Sequence, residues 1–252
     1  MKTAIISGGA GGLGRALSAQ LMARGWYVIA LDIDISALKS TDSLRAVEVD
    51  ITDASALETA ISDAISTRPS IDLVIYNAGV SHIAPFENSS DQAHRRLFEI
   101  NYFAAINMAR LTLVAVRKSE GTHLAISSVA GFSPLFHRTA YAASKHALEG
   151  FFASLRSEEK EHGVDSLIAA PSFVGTNIGC SDPDKDGMLR PGSAADGLDY
   201  MSPETAAKVI LRGYDKRRKF IPVGRIASVA WWINSLSPRL FQRLMERNIK
   251  GK

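Results

Sequence analysis

The first 22 residues contain the pattern that most restricts the fold of this chain. An apolar run at residues 3–7 leads into residues 8–14, of which five are glycine. Leu13, Leu17 and Leu21 then recur at the spacing of one helix face. This order predicts a buried strand, a tight turn and a helix. Glycine lets the backbone approach a ligand closely and a helix N-terminus binds anions, so the segment favours dinucleotide binding over a merely flexible loop.

Two glycine templates fit this turn. Gly9, Gly11 and Gly14 match G-x-G-x-x-G, whereas Gly8, Gly12 and Gly14 match G-x-x-x-G-x-G. A stretch this rich in glycine satisfies any single template easily, so the spacing does not choose between them. Either template places a pyrophosphate on the N-terminus of the helix that follows.

The second apolar run, residues 26–31, ends at Asp32. A carboxylate at the end of that strand accepts hydrogen bonds from an adenosine ribose and repels a 2′-phosphate. The residue before Gly12 is a glycine and supplies no cation for such a phosphate. We therefore expect NAD rather than NADP, although Arg15 and Lys39 are close in sequence and Asp32 as a simple turn former is the alternative.

Apolar runs alternate with helical segments along the chain. After residues 3–7, the predicted strands are 26–31, 46–49, 71–76, 123–127, 164–170 and 220–223. Helices are predicted after a cap at Thr52 or Asp53, over residues 91–118 and 141–161, and after Ser202 and Pro203. This pattern is typical of βαβ units in a parallel sheet, and the 46% hydrophobic content of 252 residues suits one large core.

Tyr141 and Lys145 are the strongest candidates for chemistry. They lie four residues apart, so both side chains share one helix face. A nearby cation stabilises the anion of a phenol whose pKa is about 10 in water, which makes Tyr141 a credible general base. The alternative is a chance spacing of two common residues. Ser128 follows the apolar run 123–127, at the strand edge where open α/β sheets bind ligands.

Asn101 is a polar residue within the apolar part of the helical region 91–118, beside Ile100 and Phe103. On such a face an amide is either a core residue whose hydrogen bonds are satisfied or part of a site.

Charge and cysteine content restrict the partners and the compartment. Residues 1–206 carry 17 Lys and Arg against 24 Asp and Glu, whereas residues 207–252 carry 12 against 2. Because the basic charge is confined to the C-terminus, we do not expect nucleic-acid binding. Cys180 is the only cysteine, and no signal-peptide pattern or run of about 20 apolar residues occurs. We expect a cytoplasmic protein without a membrane span and without a metal site.

The C-terminal segments have less regular patterns. Residues 177–200 lose periodicity, which predicts a mobile lid or binding loop. Residues 226–233 form an apolar run with two tryptophans, and a second helix follows Ser237 and Pro238. One side of this helix carries the apolar residues Leu240, Phe241, Leu244, Met245 and Ile249. The cations that flank this stripe are Arg239, Arg243, Arg247 and Lys250. This tail either lies on an anionic membrane surface or packs on its own domain or a partner subunit; we favour packing slightly.

Taken together, these motifs give the chain a resemblance to the short-chain dehydrogenases/reductases over residues 3 to about 223. The matching positions, in family order, are Ser7, Gly8, Gly12, Gly14, Asp50, Asn77 to Gly79, Asn101, Ser128, Tyr141, Lys145 and Pro171 to Thr176. The resemblance implies a Rossmann-type, doubly wound sheet of about seven parallel strands. Residues 1–224 would form the catalytic domain, and residues 225–252 a basic, amphipathic helical tail belonging to it.

The resemblance also implies hydride transfer between a nicotinamide cofactor and an alcohol or carbonyl, with a role for each catalytic residue. Tyr141 would exchange the proton with the substrate oxygen and Ser128 would position that oxygen. Lys145 would bind the nicotinamide ribose and lower the pKa of Tyr141, and Asn101 would hold a helix distortion and a water that relays protons. The implied cofactor-binding residues are Gly8, Gly12, Leu13, Gly14, Asp32, Asp50, Ile51, Asn77, Ala78, Gly79, Tyr141, Lys145, Pro171, Val174 and Thr176.

Three positions depart from the family pattern. Ser7 replaces a threonine, Ala104 stands where a glycine often follows the asparagine, and Ser172 stands where glycine usually follows the proline. None of these changes removes a catalytic group.

An apolar alcohol or ketone is the expected substrate, because the residues expected at the pocket are mostly apolar. They are His82, Phe86, Phe132, Leu135, Phe136 and Phe173, any of which is equally suited to the core. The competing function is a catalytically idle, nucleotide-sensing binding protein, which has no need of an acid/base pair. The helices near 91–118 and 141–161 are the usual dimer or tetramer surface of the family, so a homodimer or homotetramer is expected.

Overall fold

The computed structural model describes residues 1–176, 188–189 and 200–250, and side chains up to residue 244. The strands are β1 (Thr3–Ser7), β2 (Tyr27–Asp32), β3 (Leu44–Glu48), β4 (Leu73–Tyr76), β5 (Ser81–His82), β6 (Thr122–Ile126), β7 (Asp165–Pro171), β8 (Met188–Leu189) and β9 (Phe220–Val223). The α-helices are α1 (Gly12–Met22), α2 (Ala54–Thr67), α3 (Asp91–Phe98), α4 (Ala104–Arg117), α5 (Thr139–Glu158), α6 (Pro203–Asp215), α7 (Arg225–Leu236) and α8 (Pro238–Lys250).

Seven of these strands form one sheet in the order β3-β2-β1-β4-β6-β7-β9, and every pairing in it is parallel. The chain builds outward from β1 in one direction and then restarts at β4 in the other. The strand order therefore reverses between β1 and β4, and the crevice at their carboxyl ends is where ligands bind in sheets of this type. The predicted α/β, doubly wound fold is confirmed, with all seven predicted strands present.

Helices cover both faces of the sheet, and each face has its own core. Ile5 and Ile6 are adjacent and fully buried in β1, yet they belong to different clusters because successive side chains of a strand point to opposite faces. Ile6 packs with Leu17 of α1 and Ile210 of α6. On the other face, α2, α4 and α5 pack over Ile5. Burial on both faces explains why the strands read as continuous apolar runs.

The helical region predicted at 91–118 is interrupted. A π-helical turn over Glu99–Phe103 separates α3 from α4 and contains Asn101. Such a turn commonly marks a functional site. The initiating caps agree with the sequence, since Asp53 accepts hydrogen bonds at the start of α2 and Ser202 does so at the start of α6.

The remaining segments lie at one end of the sheet. The short strands β5 and β8 pair antiparallel, which the sequence did not indicate. Apart from residues 188, 189 and 200, the predicted lid at 177–200 lies outside the described residues. Helix α7 starts where β9 ends, and Trp231 stacks on Phe220 with ring centroids 5.6 Å apart.

Candidate active site

The turn after β1 contains backbone positions that only glycine adopts without strain. Gly8 has a φ of +65°, which L-residues with a side chain rarely adopt. A Cβ added at Gly14 would lie 2.1 Å from the carbonyl oxygen of Gly8, so the start of α1 packs directly on the turn. Gly12 and Leu13 occupy the first turn of α1, whose N–H groups have no partner within the helix. The structure thus supplies the anion-binding geometry that the glycines predicted.

Asp32, at the end of β2, is bonded to the same turn. One carboxylate oxygen accepts a hydrogen bond from the N–H of Ala10 at 2.8 Å, and the other accepts one from the N–H of Asp34 at 3.4 Å. Asp32 therefore shapes the glycine turn, and its bonding to an adenosine ribose stays a prediction.

Asp50 and Ile51 lie in the turn after β3. The Asp50 carboxylate accepts hydrogen bonds from the backbone N–H and the hydroxyl of Thr52, at 2.9 and 2.7 Å. Ile51 is partly buried against the core under α2. Both residues are at the carboxyl edge of the sheet, two strands away from the glycine turn.

The segment Asn77 to Gly79 leaves β4 beside the glycine turn. The Ser7 hydroxyl accepts hydrogen bonds from the N–H groups of Asn77 and Ala78, at 3.1 and 3.2 Å. The Asn77 amide donates to the carbonyl of Gly8 at 2.9 Å. These bonds lock the ends of β1 and β4 together at the point where the strand order reverses. Ser7 thus does with a serine hydroxyl what the family pattern assigns to threonine.

Asn101 is 1% exposed and its amide is fully engaged. Its Nδ2 donates to the carbonyl of Val80 and to the hydroxyl of Ser144, each at 3.0 Å, and its Oδ1 accepts from the N–H of Val80 at 2.8 Å. A Cβ added at Gly79 would lie 3.0 Å from Asn101 Oδ1 and 3.4 Å from Lys145 Nζ. The expected helix distortion is present, and Asn101 and Lys145 meet at Gly79.

Ser128, Tyr141 and Lys145 come together where β6 meets α5. Tyr141 is buried and lies beside Ser128. Lys145, one helical turn away, is 4% exposed, and its Nζ donates to the carbonyl of Ile126 at 3.0 Å. The same nitrogen lies 6.0 Å from the centre of the Tyr141 ring. The structure therefore brings the four predicted catalytic residues together at one edge of the sheet. They are Asn101, Ser128, Tyr141 and Lys145.

The pKa of Tyr141 differs from the expectation. Burial raises the pKa of the phenol, while the neighbouring Ser128 hydroxyl and the charge of Arg138 lower the pKa by less. Burial also lowers the pKa of Lys145 to about 8. The expected net lowering of the Tyr141 pKa by Lys145 is therefore wrong for this structure, because removing a phenolate from water costs more than the nearby groups return.

The end of β7 completes this edge. Pro171 is the last residue of β7, and Val174 forms a bridge with Met201. The Val174 side chain is 9% exposed and belongs to the core, so only its backbone borders the site. A Cβ added at Gly12 would lie 3.0 Å from the Thr176 Cβ, which places Thr176 directly against the glycine turn.

Comparison with known proteins agrees with this arrangement. Residues 2–186 match the short chain dehydrogenase family. The chain belongs to that family. It is 30% identical over 257 residues to the dehydrogenase/reductase SDR family member 7B of Bos taurus, covering 96% of this chain and 79% of that protein. It is also 31% identical over 188 residues to the uncharacterized oxidoreductase YusZ of Bacillus subtilis (strain 168), covering 70% of this chain and 66% of that protein.

Solved structures show the same fold. A short chain dehydrogenase from Burkholderia cenocepacia J2315 in complex with NADP superposes with a TM-score of 0.85 at 23% identity, covering 97% of this chain and 99% of that one. A 4-hydroxyisoleucine dehydrogenase complexed with NADH and succinate gives a TM-score of 0.63 at 27% identity, covering 68% of this chain and 79% of that one.

The sequence did not reveal a contact beside the candidate site, between Ser127 and Glu149. The Ser127 hydroxyl donates a hydrogen bond to the Glu149 carboxylate at 2.6 Å, immediately before Ser128 in the chain. The available signal was the spacing of Tyr141, Lys145 and Glu149, which places all three on one face of α5. Within the described residues, no cluster of His, Cys, Asp or Glu is arranged to hold a metal ion.

The side chains expected to line the substrate pocket lie in different parts of the structure. Leu135 packs in the apolar cluster around Tyr141, and His82 is buried in β5 opposite Met188. Phe132 packs on Phe220 instead. The other three do not converge on Tyr141: Phe86 and Phe136 are exposed, and Phe173 lies beside Tyr200.

Proposed function

We propose that this protein is a nicotinamide-dependent oxidoreductase that interconverts an alcohol and a carbonyl compound. The observation that carries the proposal is the buried phenol of Tyr141 beside Ser128, one helical turn from buried Lys145, at the end of β6 next to the switch point of the sheet. Burial perturbs the pKa of both Tyr141 and Lys145, as is frequent at catalytic sites.

The proposed roles follow from the protonation states. Because its pKa is raised, Tyr141 carries its proton near neutral pH and donates it to a carbonyl oxygen during reduction. Ser128 bonds to the same oxygen and places it. Lys145 supplies the positive charge that stabilises the phenolate left behind. A nicotinamide cofactor held at this edge would supply or accept the hydride.

The glycine turn fits the dinucleotide. The positive φ of Gly8, the close packing of Gly14 on Gly8 and the free N–H groups at the start of α1 together form a cradle that side chains would fill. Gly12 and Thr176 adjoin it. We therefore assign Gly8, Gly12, Leu13 and Gly14 to the pyrophosphate and the segments 77–79 and 171–176 to the nicotinamide half.

We propose that NAD is preferred over NADP, since Asp32 presents a carboxylate at the end of β2. Asp32→Asn retains an acceptor for the Ala10 N–H and removes the charge that repels a 2′-phosphate. We expect the NAD/NADP ratio of kcat/KM to fall by about tenfold, the effect of losing one charged hydrogen bond. An unchanged ratio would reject the assignment, and Asp32→Ala would show how much the turn itself depends on this carboxylate.

The substrate is proposed to be an apolar alcohol or ketone. The side chains packed around Tyr141 include Leu97, Val80, Leu135 and Met188, which are all apolar. This apolar packing shields the phenol from water and favours an apolar substrate next to it.

A fluorescence screen tests the function against its alternative, an idle nucleotide sensor. The protein is mixed with NADH or NADPH and a panel of ketones and aldehydes of increasing apolar size, and loss of reduced-cofactor fluorescence is followed. We expect oxidation that improves with apolar size. Binding of the cofactor without oxidation by any carbonyl, and without reduction of NAD or NADP by any alcohol, would support the sensor.

We propose that the protein forms a homodimer or homotetramer through the region of α4 and α5. Phe103 and Val114, in the π-helical turn and α4, are 45% and 65% exposed. We expect light scattering at micromolar concentration to give a multiple of 27.2 kDa. Val114→Glu should lower that mass, and a monomeric wild type would refute the proposal.

We also propose that the tail contacts an anionic membrane surface. None of the helices within the described residues has the length and apolarity of a membrane span. On α7, however, Val229, Trp232 and Leu236 recur on one face and are 57%, 59% and 78% exposed. Leu240 of α8 is 49% exposed, whereas Phe241 is buried. Phe241 therefore packs inward, whereas the described apolar face of α7 and Leu240 face outward.

Charge complementarity supports a lipid surface as the partner of this face. Arg225, Arg239 and Arg243 are exposed along α7 and α8, and residues 225–244 contain no acidic residue. An apolar face edged by cations suits an interfacial position on anionic lipid. The Asn234 amide donates to the carbonyl of Phe132 at 2.7 Å, so α7 is tied to the loop that follows Ser128. A docked tail would hold the active site near the surface in which apolar substrates dissolve.

Vesicle sedimentation tests this contact. The double variant Trp232→Ser and Leu236→Ser removes outward side chains and leaves Trp231 and Asn234 in place, and Ser235→Ala serves as the control. We expect wild type and control to sediment with phosphatidylserine vesicles at low salt and the double variant to remain in solution. Equal, negligible sedimentation of all three would reject the proposal. A truncation after Gly224 removes the whole tail for comparison.

A further inference from the structure

Three consecutive residues at the end of β6 are held by three successive turns of α5. Ser128 lies beside Tyr141, the carbonyl of Ile126 accepts from Lys145 at 3.0 Å, and the Ser127 hydroxyl donates to Glu149 at 2.6 Å. The proposed mechanism uses the first two contacts and gives no role to the third. Glu149 lies one helical turn, about 6 Å, beyond Lys145 on the same face.

Close packing encloses the Glu149 carboxylate. A Cβ added at Gly131 would lie 2.2 Å from both Glu149 Oε1 and Ser127 Oγ, so only glycine fits over this hydrogen bond. Gly131 itself belongs to the short helical turn that starts at Ser128. The Glu149 carboxylate is therefore in contact with the loop that positions Ser128 and is one turn from the ammonium group of Lys145.

Glu149 and Lys145 affect each other's protonation. Burial raises the pKa of the Glu149 carboxyl to about 7, while the Ser127 hydrogen bond and the charge of Lys145 lower it. Burial lowers the pKa of Lys145 to about 8, and the charge of Glu149 raises it. Among the described residues, the groups facing Glu149 are thus Lys145 on its own helix and Ser127 on the loop after β6.

We propose that Glu149 is a positioning residue for the Tyr141–Lys145 pair: bonded to Ser127, it fixes the Ser128 loop, and as a carboxylate it keeps Lys145 cationic. This inference rests on the proposed function. Glu149 touches neither substrate nor cofactor, and it acts through Lys145. Below neutral pH Lys145 is protonated without its help. Between neutrality and mildly alkaline pH, the Glu149 charge determines how much of Lys145 remains an ammonium.

The variant Glu149→Gln separates the charge from the hydrogen bond, since the glutamine oxygen still accepts from Ser127. We expect kcat/KM of the variant to be within twofold of wild type at pH 6, where Glu149 is protonated. At pH 8 we expect a loss of about three- to tenfold, because one unit of pKa corresponds to a tenfold change in the ratio of ammonium to amine. Glu158→Gln, exposed on the same helix, is the matched control and should follow wild type throughout.

A second measurement without cofactor keeps the inference independent of turnover. The raised pKa of Glu149 means that its protonated form stabilises the fold at low pH and that this stability is lost as pH rises from about 4.5 to about 7. The melting temperature of Glu149→Gln relative to wild type should therefore increase between pH 5 and pH 8.

Two results would overturn the inference. One is a pH profile of Glu149→Gln parallel to that of wild type, whether or not its activity is lower. The other is a melting-temperature difference that is the same at pH 5 and pH 8. If wild type itself oxidises no reduced cofactor, the proposed function fails first, and the melting experiment still decides whether Glu149 titrates as described.

Discussion

Ionisable groups lie at both ends of α5, and their pKa shifts differ in direction. At one end the shifts favour the uncharged forms, and at the other the shift favours the charged form. In the first half of the helix, Tyr141, Lys145 and Glu149 all have pKa values shifted by burial toward their uncharged forms. At the far end, about 30 Å along the 20-residue helix, the pKa of Glu159 lies below its usual value. The cause is Arg117, whose guanidinium donates two hydrogen bonds to that carboxylate at 2.8 and 2.6 Å.

The difference lies in the partners. Glu159 is 2% exposed and has a bidentate cation, so its charge is retained and ties α5 to α4. Lys145 bonds to a backbone carbonyl and Glu149 to a serine hydroxyl, which do not neutralise a charge. Groups held in this way change protonation within a few pH units of neutrality. The ion pair at one end of α5 therefore suits a structural role, whereas the groups at the other end suit the proton exchange that we propose.

The largest effect should come from removing the cation at the active end. Lys145→Met retains much of the side-chain volume and removes the charge, so we expect kcat/KM to fall by roughly 10²- to 10⁴-fold. The melting temperature should not fall at neutral pH, because an ammonium with a lowered pKa opposes folding until the pH exceeds its usual range. Steady-state assays and thermal melts of the same preparation check both parts; a strongly destabilised variant would contradict the comparison.

The opposite pattern is expected at the far end. Arg117→Ala leaves the buried Glu159 carboxylate without its cation, so the melting temperature should fall by several degrees while kcat remains within twofold of wild type. Thermal melts and assays below the melting range measure this. A loss of activity as large as that of Lys145→Met would show that the two ends are not separate.

The smallest expected effect is on the stability of the protein at low pH. Because the folded-state pKa of Glu159 is lowered, its ion pair stabilises the protein above the usual carboxyl range, and this contribution disappears as pH falls through the folded-state value. Glu159→Gln should therefore show a shallower loss of stability than wild type between pH 6 and pH 3. Urea unfolding at each pH gives the two slopes, and equal slopes would contradict the assignment.

Part of the fold and of the candidate site could be predicted from the sequence, and part could not. The alternating apolar runs predicted the seven strands, and the glycines at residues 8–14, Ser128 and the spacing of Tyr141 and Lys145 predicted the candidate site, because these features follow from local periodicity and spacing along the chain. The direction of the Tyr141 pKa was wrong, since burial is a property of the packed chain. Ser127 and Glu149 were missed for the same reason, as their contact joins two elements 22 residues apart.

The packing of the C-terminal tail could not be predicted from the sequence either. Its apolar stripe was evident from residues 240–249, but which side chains face the domain depends on the packing of α7 against β9. Trp231 turns inward onto Phe220 and Trp232 outward, although the two residues are adjacent.

The central claim, that Tyr141 exchanges the substrate proton, is tested most directly by Tyr141→Phe. NADH binding, followed by fluorescence, and NADH oxidation by the best carbonyl from the screen are measured on one sample. The account predicts a dissociation constant within a few-fold of wild type and a kcat lower by roughly 10²-fold or more. Undiminished turnover by Tyr141→Phe would contradict it.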